Sequence, residues 1–256
     1  MELLIRGLIA VGAAAAVSVA AWRLGALTAR GAVAGTVVGS MVFGLAGLGP
    51  AVVLALFFVS SSALSTLPGG GARSRRGARQ VLANGSLAAL AACFHALHAF
   101  ADVALLGAVA AATADTWATE VGVRLGRRPR SILTFRRQPP GTSGAVSFPG
   151  TLAAAVGALA VAGVGRWLVP GLGAGALATV ALGGLAGSLA DSVAGAGFQA
   201  VYHCPACGAD PEVARHADCP ERALRVAGLP GIDNDAVNLI ATATGAAVSI
   251  LTRLLV

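Results

Sequence analysis

Residues 102–122 read DVALLGAVAAATADTWATEVG, an apolar stretch of Ala, Val, Leu and Gly that carries Asp115 and Glu120 toward its end. About 20 apolar residues are enough for a helix to cross a bilayer, and the rest of the chain has the same character. Of its 256 residues, 56% are hydrophobic and 11% are charged, whereas about 25% of the residues in a soluble domain are charged. The composition argues against a water-soluble protein and predicts an all-α, polytopic integral membrane helix bundle.

Hydrophobic runs separated by charges and turn-forming residues predict eight transmembrane spans. They cover residues 3–22, 31–48, 50–68, 80–100, 102–122, 145–168, 172–194 and 236–256, within a few residues at each end. The first run also resembles a signal peptide because it ends in small residues, but its n-region pairs Glu2 with a single Arg6, so we expect a retained helix. Without it, seven spans remain. We expect one transmembrane domain over residues 1–256, with a cytoplasmic loop at residues 196–232 between the last two spans.

The basic residues predict the orientation of the spans. All 18 are Arg, and the absence of Lys excludes a phosphate-loop lysine or a Schiff base. Three of them, Arg6, Arg166 and Arg253, fall toward one face, and the other 15 lie in the loops after spans one, three, five and seven: Arg23, Arg30, Arg73, Arg75, Arg76, Arg79, Arg124, Arg127, Arg128, Arg130, Arg136, Arg137, Arg215, Arg222 and Arg225. The positive-inside rule places those loops in the cytoplasm and both termini outside the plasma membrane. The net positive charge therefore reflects membrane topology, and we expect no nucleic-acid partner.

Carboxylates collect at the same predicted face. Five of the 11 acidic residues lie at the cytoplasmic ends of spans five, seven and eight: Asp115, Glu120, Asp191, Asp233 and Asp235. The polar segments Asn84-Gly85-Ser86 and Gly141-Thr142-Ser143-Gly144 share this face. Ionisable residues near a bilayer are costly and usually functional, so we expect one shared, cytoplasm-facing site. Helix capping and loop solvation are the alternative explanation.

Helical spacing separates these carboxylates further. Asp235 and Asn238 are three residues apart, which makes them neighbours on a helix surface, and Asp233 precedes them as a candidate N-cap. The segment Asp115-Thr116-Trp117-Ala118 is echoed by Asp191-Ser192-Val193-Ala194. Such an echo can mark the repeated halves of a membrane protein.

The residue types suit a hard cation and a phosphate. Carboxylates, amides and hydroxyls are the oxygen ligands that magnesium prefers, often together with substrate phosphates. Six Arg between Arg124 and Arg137 precede the turn Gly141 to Gly144, whose backbone N–H groups can bind an anion at the start of span six. Contacts of these Arg residues with anionic lipid are the alternative.

A second cluster lies in the last cytoplasmic loop. Cys204, Cys207, His216 and Cys219 form the pattern Cys-x2-Cys-x8-His-x2-Cys, which offers three thiolates and one imidazole, a closed tetrahedral set typical of structural zinc. A redox pair formed by Cys204 and Cys207 is the alternative. We expect the remaining cysteine, which lies within span four, to serve buried packing, and two histidines near it to be interface residues: Cys93, His95 and His98.

Five segments resemble one family, the membrane proteins that include the plant phytyl-phosphate kinase and the animal transmembrane protein nineteen, also catalogued as domain of unknown function ninety-two. The segments are Gln80 to Gly85, Ala114 to Gly122, Gly141 to Ser147, Gly187 to Gly195 and Asp233 to Leu239. The resemblance covers nearly the whole chain. It implies phosphorylation of an isoprenyl monophosphate, such as phytyl or geranylgeranyl phosphate, to the diphosphate, with CTP as the favoured donor.

The resemblance also implies roles for individual residues. It points to Asn84, Asp115, Thr116, Glu120, Gly141, Thr142, Gly144, Ser147, Asp191, Ser192, Asp235 and Asn238. We hypothesise that magnesium is held by Asp115, Asp191 and Asp235, while Glu120 and Asn238 orient the site. The phosphate-binding set would be Asn84, Thr116, Arg124, Arg137, Gly141, Thr142, Ser143, Gly144, Ser147 and Ser192. The chain carries Ser143 and Ala145 where relatives often have Asn and Gly, and not all members have the cysteine cluster.

Two other functions remain compatible with the sequence. A transporter or lipid carrier also uses intramembrane carboxylates and glycine-broken helices, but its site should lie near the middle of the membrane. A cytidylyltransferase or a lipid-alcohol kinase would act on another lipid. An alcohol kinase must activate a neutral hydroxyl and so needs a carboxylate base that a monophosphate kinase can lack.

Overall fold

The computed structural model describes residues 2–69, 75–98, 100–209 and 219–255. Within these ranges the chain forms eight α-helices and four short strands. The helices are α1 (Glu2–Arg23), α2 (Ala29–Met41), α3 (Leu48–Thr66), α4 (Ala78–Cys93), α5 (Ala101–Leu125), α6 (Phe148–Leu168), α7 (Ala176–Gly197) and α8 (Asn234–Leu254), and a π-helical segment, Val42–Ala46, extends α2. Strand β1 (Arg130–Ser131) pairs antiparallel with β2 (Ala145–Val146), and β3 (Val201–His203) pairs antiparallel with β4 (Leu224–Ala227).

These helices confirm the predicted all-α membrane bundle and follow the order of the predicted spans. Six of them are long and apolar enough to cross a membrane: α1, α2 with its π segment, α3, α6, α7 and α8. The other two differ for separate reasons. Helix α4 has 16 residues, about 24 Å of helix at 1.5 Å per residue, whereas α5 has 25 residues but carries four charged side chains along its length, Asp102, Asp115, Glu120 and Arg124.

Helix α4 ends earlier than predicted. The sequence predicts a span to residue 100, but the helix ends at Cys93. The chain then turns back into α5, and His95 Nδ1 lies 2.7 Å from Asp102 Oδ1 across this turn. The end of α4 leaves Cys93 exposed, which corrects the prediction that this cysteine is buried in packing.

Helix α5 occupies the centre of the bundle, in contact with α3, α4, α6, α7 and α8. Its residues from Val103 to Ala114 are all buried, and six of these twelve are Ala, whose small side chains let neighbouring helices approach closely. At Gly187 of α7, an added Cβ would lie 2.6 Å from the carbonyl oxygen of Ala241 on α8 and would overlap Ala111 of α5. Glycine is therefore required where α5, α7 and α8 meet.

Alternate helix termini lie together at one end of the bundle, which we call the polar end. Here α3, α5 and α7 end, and α4, α6 and α8 begin. Arg79 at the start of α4 lies 2.6 Å from Asp233 at the start of α8, and Ser65 near the end of α3 donates a hydrogen bond to Glu120 near the end of α5. Arg166 and Arg253 lie in the last turns of α6 and α8, at the opposite end. The helix ends that the sequence predicts on one face do share it.

Candidate functional site

Asp115 and Asp191 meet at the polar end of the central helices. Asp115 lies four residues beyond Ala111 on α5, and Asp191 lies four residues beyond Gly187 on α7, so both are one turn past the close approach at Gly187. Their carboxyl groups contact each other at hydrogen-bonding distance. The two copies of the Asp-Thr/Ser motif, one on α5 and one on α7, therefore place their carboxyl groups side by side.

No basic side chain among the described residues pairs with these two carboxyl groups. Asp191 Oδ2 is buried, and no described residue donates a hydrogen bond to it. Within the described ranges, neither aspartate takes part in a salt bridge. Two carboxylates in contact repel each other unless a proton or a cation lies between them. The donor set fits a hard divalent cation, which prefers carboxylate oxygens.

Asn238 lies on α8 at the same depth as the carboxyl pair. It is three residues from Ala241, on the polar side of the Gly187 contact, and only 7% of its surface is exposed. One turn further into the helix, Thr242 Oγ1 lies 3.1 Å from the carbonyl oxygen of Ala83 on α4. This contact brings α8 beside the segment of α4 that contains Asn84.

Three other predicted polar residues bond to their own helices. Asn84 Nδ2 donates to the carbonyl oxygen of Gln80 at 3.0 Å. The hydroxyls of Thr116 and Ser192 donate to the carbonyl oxygens four residues earlier in α5 and α7, at 2.8 and 3.2 Å. A hydroxyl that donates in this way keeps its lone pairs, so both residues can still accept from a ligand beside the carboxyl pair.

Asp235 lies at the rim, in an ion-paired group with Asp233 and Arg79. Asp233 is the N-cap of α8, as predicted, because its Oδ1 accepts from the backbone N–H of Ala236 at 3.0 Å. Its Oδ2 lies 2.6 Å from Arg79 Nη2, and Asp235 Oδ2 lies 3.6 Å from Arg79 Nε. The structure thus joins Asp235 to Arg79, whereas Asp115 and Asp191 contact each other.

Arg79 is a residue that the sequence analysis assigned only to membrane topology. Its side chain is 72% exposed at the rim of the site. Its position could have indicated a role in the site, because Arg79 directly precedes Gln80, where the first family-like segment begins.

Glu120 and Arg124 form a separate group. The Glu120 carboxylate accepts from Ser65 and lies 2.6 Å from Arg124 Nη1. Arg124 Nη2 also donates to the carbonyl oxygens of Leu64 and Leu67, at 3.0 and 2.7 Å. These carbonyls belong to the end of α3, where backbone acceptors lack partners within the helix. The described contacts of both residues therefore join α5 to α3.

The predicted anion-binding turn packs on the polar end of α7. Gly141 and Gly144 have φ of +85° and +72°, a left-handed conformation that favours glycine. A Cβ on Gly144 would lie 2.5 Å from the backbone nitrogen of Ala196 and from the carbonyl oxygen of Ser192. The turn therefore lies one helical turn beyond Asp191.

The side chains of the turn hold it in place. Ser143 Oγ donates to Gln199 Oε1 at 2.6 Å, and Thr142 Oγ1 donates to the carbonyl oxygen of Pro139 at 2.9 Å. Ser147 is the N-cap of α6, since its Oγ accepts from the backbone N–H of Gly150 at 3.3 Å. Gln199 was missed by the sequence analysis because its partner is 56 residues away along the chain.

Arg137 lies in the loop that precedes the turn. It forms an antiparallel backbone bridge with Arg130, next to the β1–β2 pair. It is exposed, and within the described ranges it takes part in no salt bridge.

Three of the four predicted zinc ligands lie together in the loop between α7 and α8. The Sγ atoms of Cys204, Cys207 and Cys219 are all within 4.8 Å of one another, and those of Cys204 and Cys219 are 3.8 Å apart. The Cys204–Cys207 turn closes through a hydrogen bond from the Gly208 N–H to the Cys204 carbonyl oxygen at 2.8 Å, with Gly208 at φ +70°. The fourth predicted ligand, His216, lies outside the described residues.

Hydrogen bonds within the turn prepare one of these sulfurs for a metal. The backbone N–H of Cys207 donates to the Cys204 sulfur and lowers the pKa of that thiol. A thiolate is the form of cysteine that binds metals. The three-cysteine cluster can therefore bind a metal ion.

Comparison with known proteins agrees with this architecture. Residues 12–246 match the model of the family "Integral membrane protein DUF92". The chain is 38% identical over 126 residues to an uncharacterized membrane protein of Methanocaldococcus jannaschii, covering 48% of this chain and 52% of the relative. It is 30% identical over 188 residues to the chloroplastic protein VTE6 of Arabidopsis thaliana, covering 70% of this chain and 48% of the relative.

The chain thus spans about half the length of the curated relatives that it matches. No solved structure matches it. The family match extends over nearly all eight helices, and the chain therefore belongs to the DUF92 family of integral membrane proteins.

Proposed function

We propose that the chain is a membrane-embedded phosphotransferase that transfers the terminal phosphoryl group of CTP, or another nucleoside triphosphate, to an isoprenyl monophosphate. The proposal rests on the contact between the Asp115 and Asp191 carboxyl groups, with a buried Asp191 oxygen that lacks a donor among the described residues. The substrate class comes from the resemblance to a family that includes a plant phytyl-phosphate kinase. The site would face the cytoplasm at the plasma membrane, with both termini outside.

The acceptor needs little activation. A phosphate monoester has a second pKa of about 6, so one of its oxygens is largely ionised at neutral pH and attacks the terminal phosphorus of the donor. The bond from that phosphorus to the bridging oxygen breaks, and the nucleoside diphosphate leaves with the electron pair. No proton has to be removed, so the site needs positioning and charge neutralisation more than a general base.

The residues of this chain divide these tasks. Asp115 and Asp191 would hold magnesium, with Asp235 as the third proposed carboxylate and Asn238 orienting the pair. When bound, magnesium neutralises the donor phosphates and screens the transferred charge. Arg79 supports the proposal because it offers an exposed guanidinium beside Asp235, and a guanidinium can bind phosphate through two N–H groups.

The other proposed residues lie around this centre. Backbone N–H groups of Gly141, Ser143 and Gly144 would bind phosphate beside Ser192, whereas the Thr142 N–H already donates to the Pro139 carbonyl oxygen at 3.2 Å. The other proposed phosphate-binding residues are Thr142, Asn84, Thr116, Ser147 and Arg137. Glu120 and Arg124 would support the site by joining α5 to α3, as their contacts suggest. The isoprenyl tail would lie between apolar helices, and Leu189 and Val193 flank Asp191 with exposed side chains.

A substrate panel separates this function from its rivals. Purified protein is incubated with magnesium and CTP labelled at the terminal phosphate, and with phytol, phytyl phosphate or geranylgeranyl phosphate as acceptor. We expect labelled diphosphate from the two monophosphates and no product from phytol, because the proposal assigns the buried carboxylates to the cation and leaves no general base for a neutral hydroxyl. Label in phytyl phosphate made from phytol would indicate an alcohol kinase, and release of pyrophosphate a cytidylyltransferase. Folded protein that turns over none of these lipids but exchanges them between leaflets would indicate a transporter.

We also propose that the cysteine cluster binds structural zinc through Cys204, Cys207, Cys219 and His216. Elemental analysis of the purified chain is expected to find about one zinc ion per chain, as in closed tetrahedral sites. Cys204→Ser should lose this zinc, and His216→Ala should weaken its retention against a chelator. Cys93→Ser is the matched control, because Cys93 lies at the end of α4. Well-folded protein without metal, or with a Cys204–Cys207 disulfide, would favour the redox alternative.

A further inference from the structure

The loop between α5 and α6 exposes apolar side chains among arginines at the polar end of the bundle. Phe135 is 70% exposed and Leu133 is 48% exposed. Around them lie five Arg residues, all exposed: Arg127, Arg128, Arg130, Arg136 and Arg137. We call residues 127–137 the basic loop. Large apolar side chains held in solvent commonly mark a contact surface.

The backbone holds Phe135 in an unfavourable conformation. Its φ of +56° is the one positive value at a non-glycine residue within the described ranges, and a left-handed conformation is unfavourable for an L-residue because its Cβ crowds the following carbonyl oxygen. Two backbone hydrogen bonds fix it, from Phe135 N to the Ser131 carbonyl oxygen and from Ser131 N to the Arg136 carbonyl oxygen, each 2.9 Å. Arg130 Nη1 adds a third, to the Phe135 carbonyl oxygen at 2.8 Å. Glycine would adopt this conformation without strain, so a strained, exposed Phe at this position indicates a functional role for its ring.

The charge of the basic loop is not balanced nearby. The sequence contains no Asp or Glu between Glu120 and Asp191. None of the loop arginines forms a salt bridge in the part of the chain that the structure describes. A partner for this surface should therefore be anionic.

The basic loop lies at the level of the helix ends. Strand β1 pairs Ser131 with Ala145, two residues before the N-cap of α6. Leu133 Cδ1 lies 3.4 Å from the position of a Cβ on Gly197, the last residue of α7. The loop is thus tied to the boundary between spanning helix and solvent, where lipid headgroups surround a membrane protein.

We propose that the basic loop binds anionic lipid headgroups, with Phe135 entering the bilayer interface and Arg127, Arg128 and Arg136 contacting lipid phosphates. Phe and Leu side chains beside basic residues insert shallowly into the interface of anionic membranes, and each Arg near an anionic leaflet strengthens binding about fivefold. This surface is independent of the proposed transfer reaction and leaves Arg137 to the substrate.

Lipid retention by the full chain tests the arginine contacts. Native mass spectrometry after extraction from nanodiscs that contain phosphatidylcholine and phosphatidylglycerol measures the bound phosphatidylglycerol. The combined variant Arg127→Gln, Arg128→Gln and Arg136→Gln is expected to weaken its retention about 100-fold, from about fivefold at each site. The control variant Arg23→Gln, Arg30→Gln and Arg222→Gln removes the same charge from exposed residues spread over two other loops, and it should weaken retention much less than the basic-loop variant. Equal loss in both variants, or loss in neither, would overturn the proposal.

Photocrosslinking tests the insertion of Phe135. The photoreactive amino acid p-benzoylphenylalanine at position 135 is expected to form lipid adducts in nanodiscs, and more of them when phosphatidylglycerol is present. The same group in place of Arg222, on the loop between α7 and α8, is the control. An absence of lipid adducts from position 135, or equal adducts from both positions, would contradict the insertion of the ring.

Discussion

Asp191→Asn is expected to reduce phosphoryl transfer about 10²–10³-fold, the usual effect of removing one group that stabilises transition-state charge. The amide keeps the shape of the carboxylate but not its charge. Asp191 contacts the Asp115 carboxyl group and keeps one buried oxygen without a donor among the described residues, so the change removes one of the three proposed carboxylate ligands. The rate of label transfer from CTP to phytyl phosphate, measured at saturating magnesium, gives the loss.

Two further variants sharpen this result. Asp115→Asn should reduce the transfer rate by about the same factor. The double variant should be only slightly slower than either single variant, because the effects of residues that act as a unit are not additive. Asp102→Asn is the matched control, since Asp102 lies on the same helix at the opposite end and pairs with His95. A full rate in Asp191→Asn protein, or a comparable loss in Asp102→Asn protein, would show that the carboxyl pair is not the reaction centre.

Gly144→Ala is expected to disrupt the phosphate-binding turn. The new Cβ would lie 2.5 Å from backbone atoms of Ser192 and Ala196, and a backbone can move only if the end of α7 moves with it. The positive φ of Gly144 costs an L-residue about 1–2 kcal/mol, and overpacking adds about 1–3 kcal/mol. We expect a lower thermal unfolding midpoint in detergent and a higher KM for both substrates.

Gly141→Ala separates packing from backbone strain. Gly141 also has a positive φ, but the nearest atom to its added Cβ is Val123 Cγ2 at 3.9 Å. This variant should therefore show only the strain of about 1–2 kcal/mol. If both variants lower stability and raise KM equally, the contact between the turn and α7 contributes nothing to the site.

Much of the site was predictable because its residues lie at fixed distances along single helices. Hydrophobic runs predict where helices lie, and their alternating direction brings the ends that carry Asp115 and Asp191 to the same face. The N-cap role of Asp233 is also local, since it depends on Ala236, three residues away. The end of α4 was not predictable, because the apolar run continues to Phe100 while the chain already turns at Phe94.

Partners distant in the sequence could not be predicted. Arg79 meets Asp233, 154 residues away, and Ser143 meets Gln199, 56 residues away. Glu120 pairs with Arg124 on its own helix and also accepts from Ser65, 55 residues away on α3. Such contacts depend on the rotation and depth at which two helices pack, which the hydrophobic pattern of each helix leaves open.

The sequence by itself determined that this chain is a membrane helix bundle with its carboxylates and arginines concentrated at one face, because lipid admits long apolar helices and makes charges within them costly. Only the tertiary structure decided which carboxylates meet. Gly187 lets α5, α7 and α8 approach closely, and this packing brings Asp115 against Asp191 while Asp235 pairs with Arg79. The sequence alone does not show which small residues face a neighbouring helix. Where they do, the helices approach closely, and this contact sets the depth at which polar groups on the two helices meet.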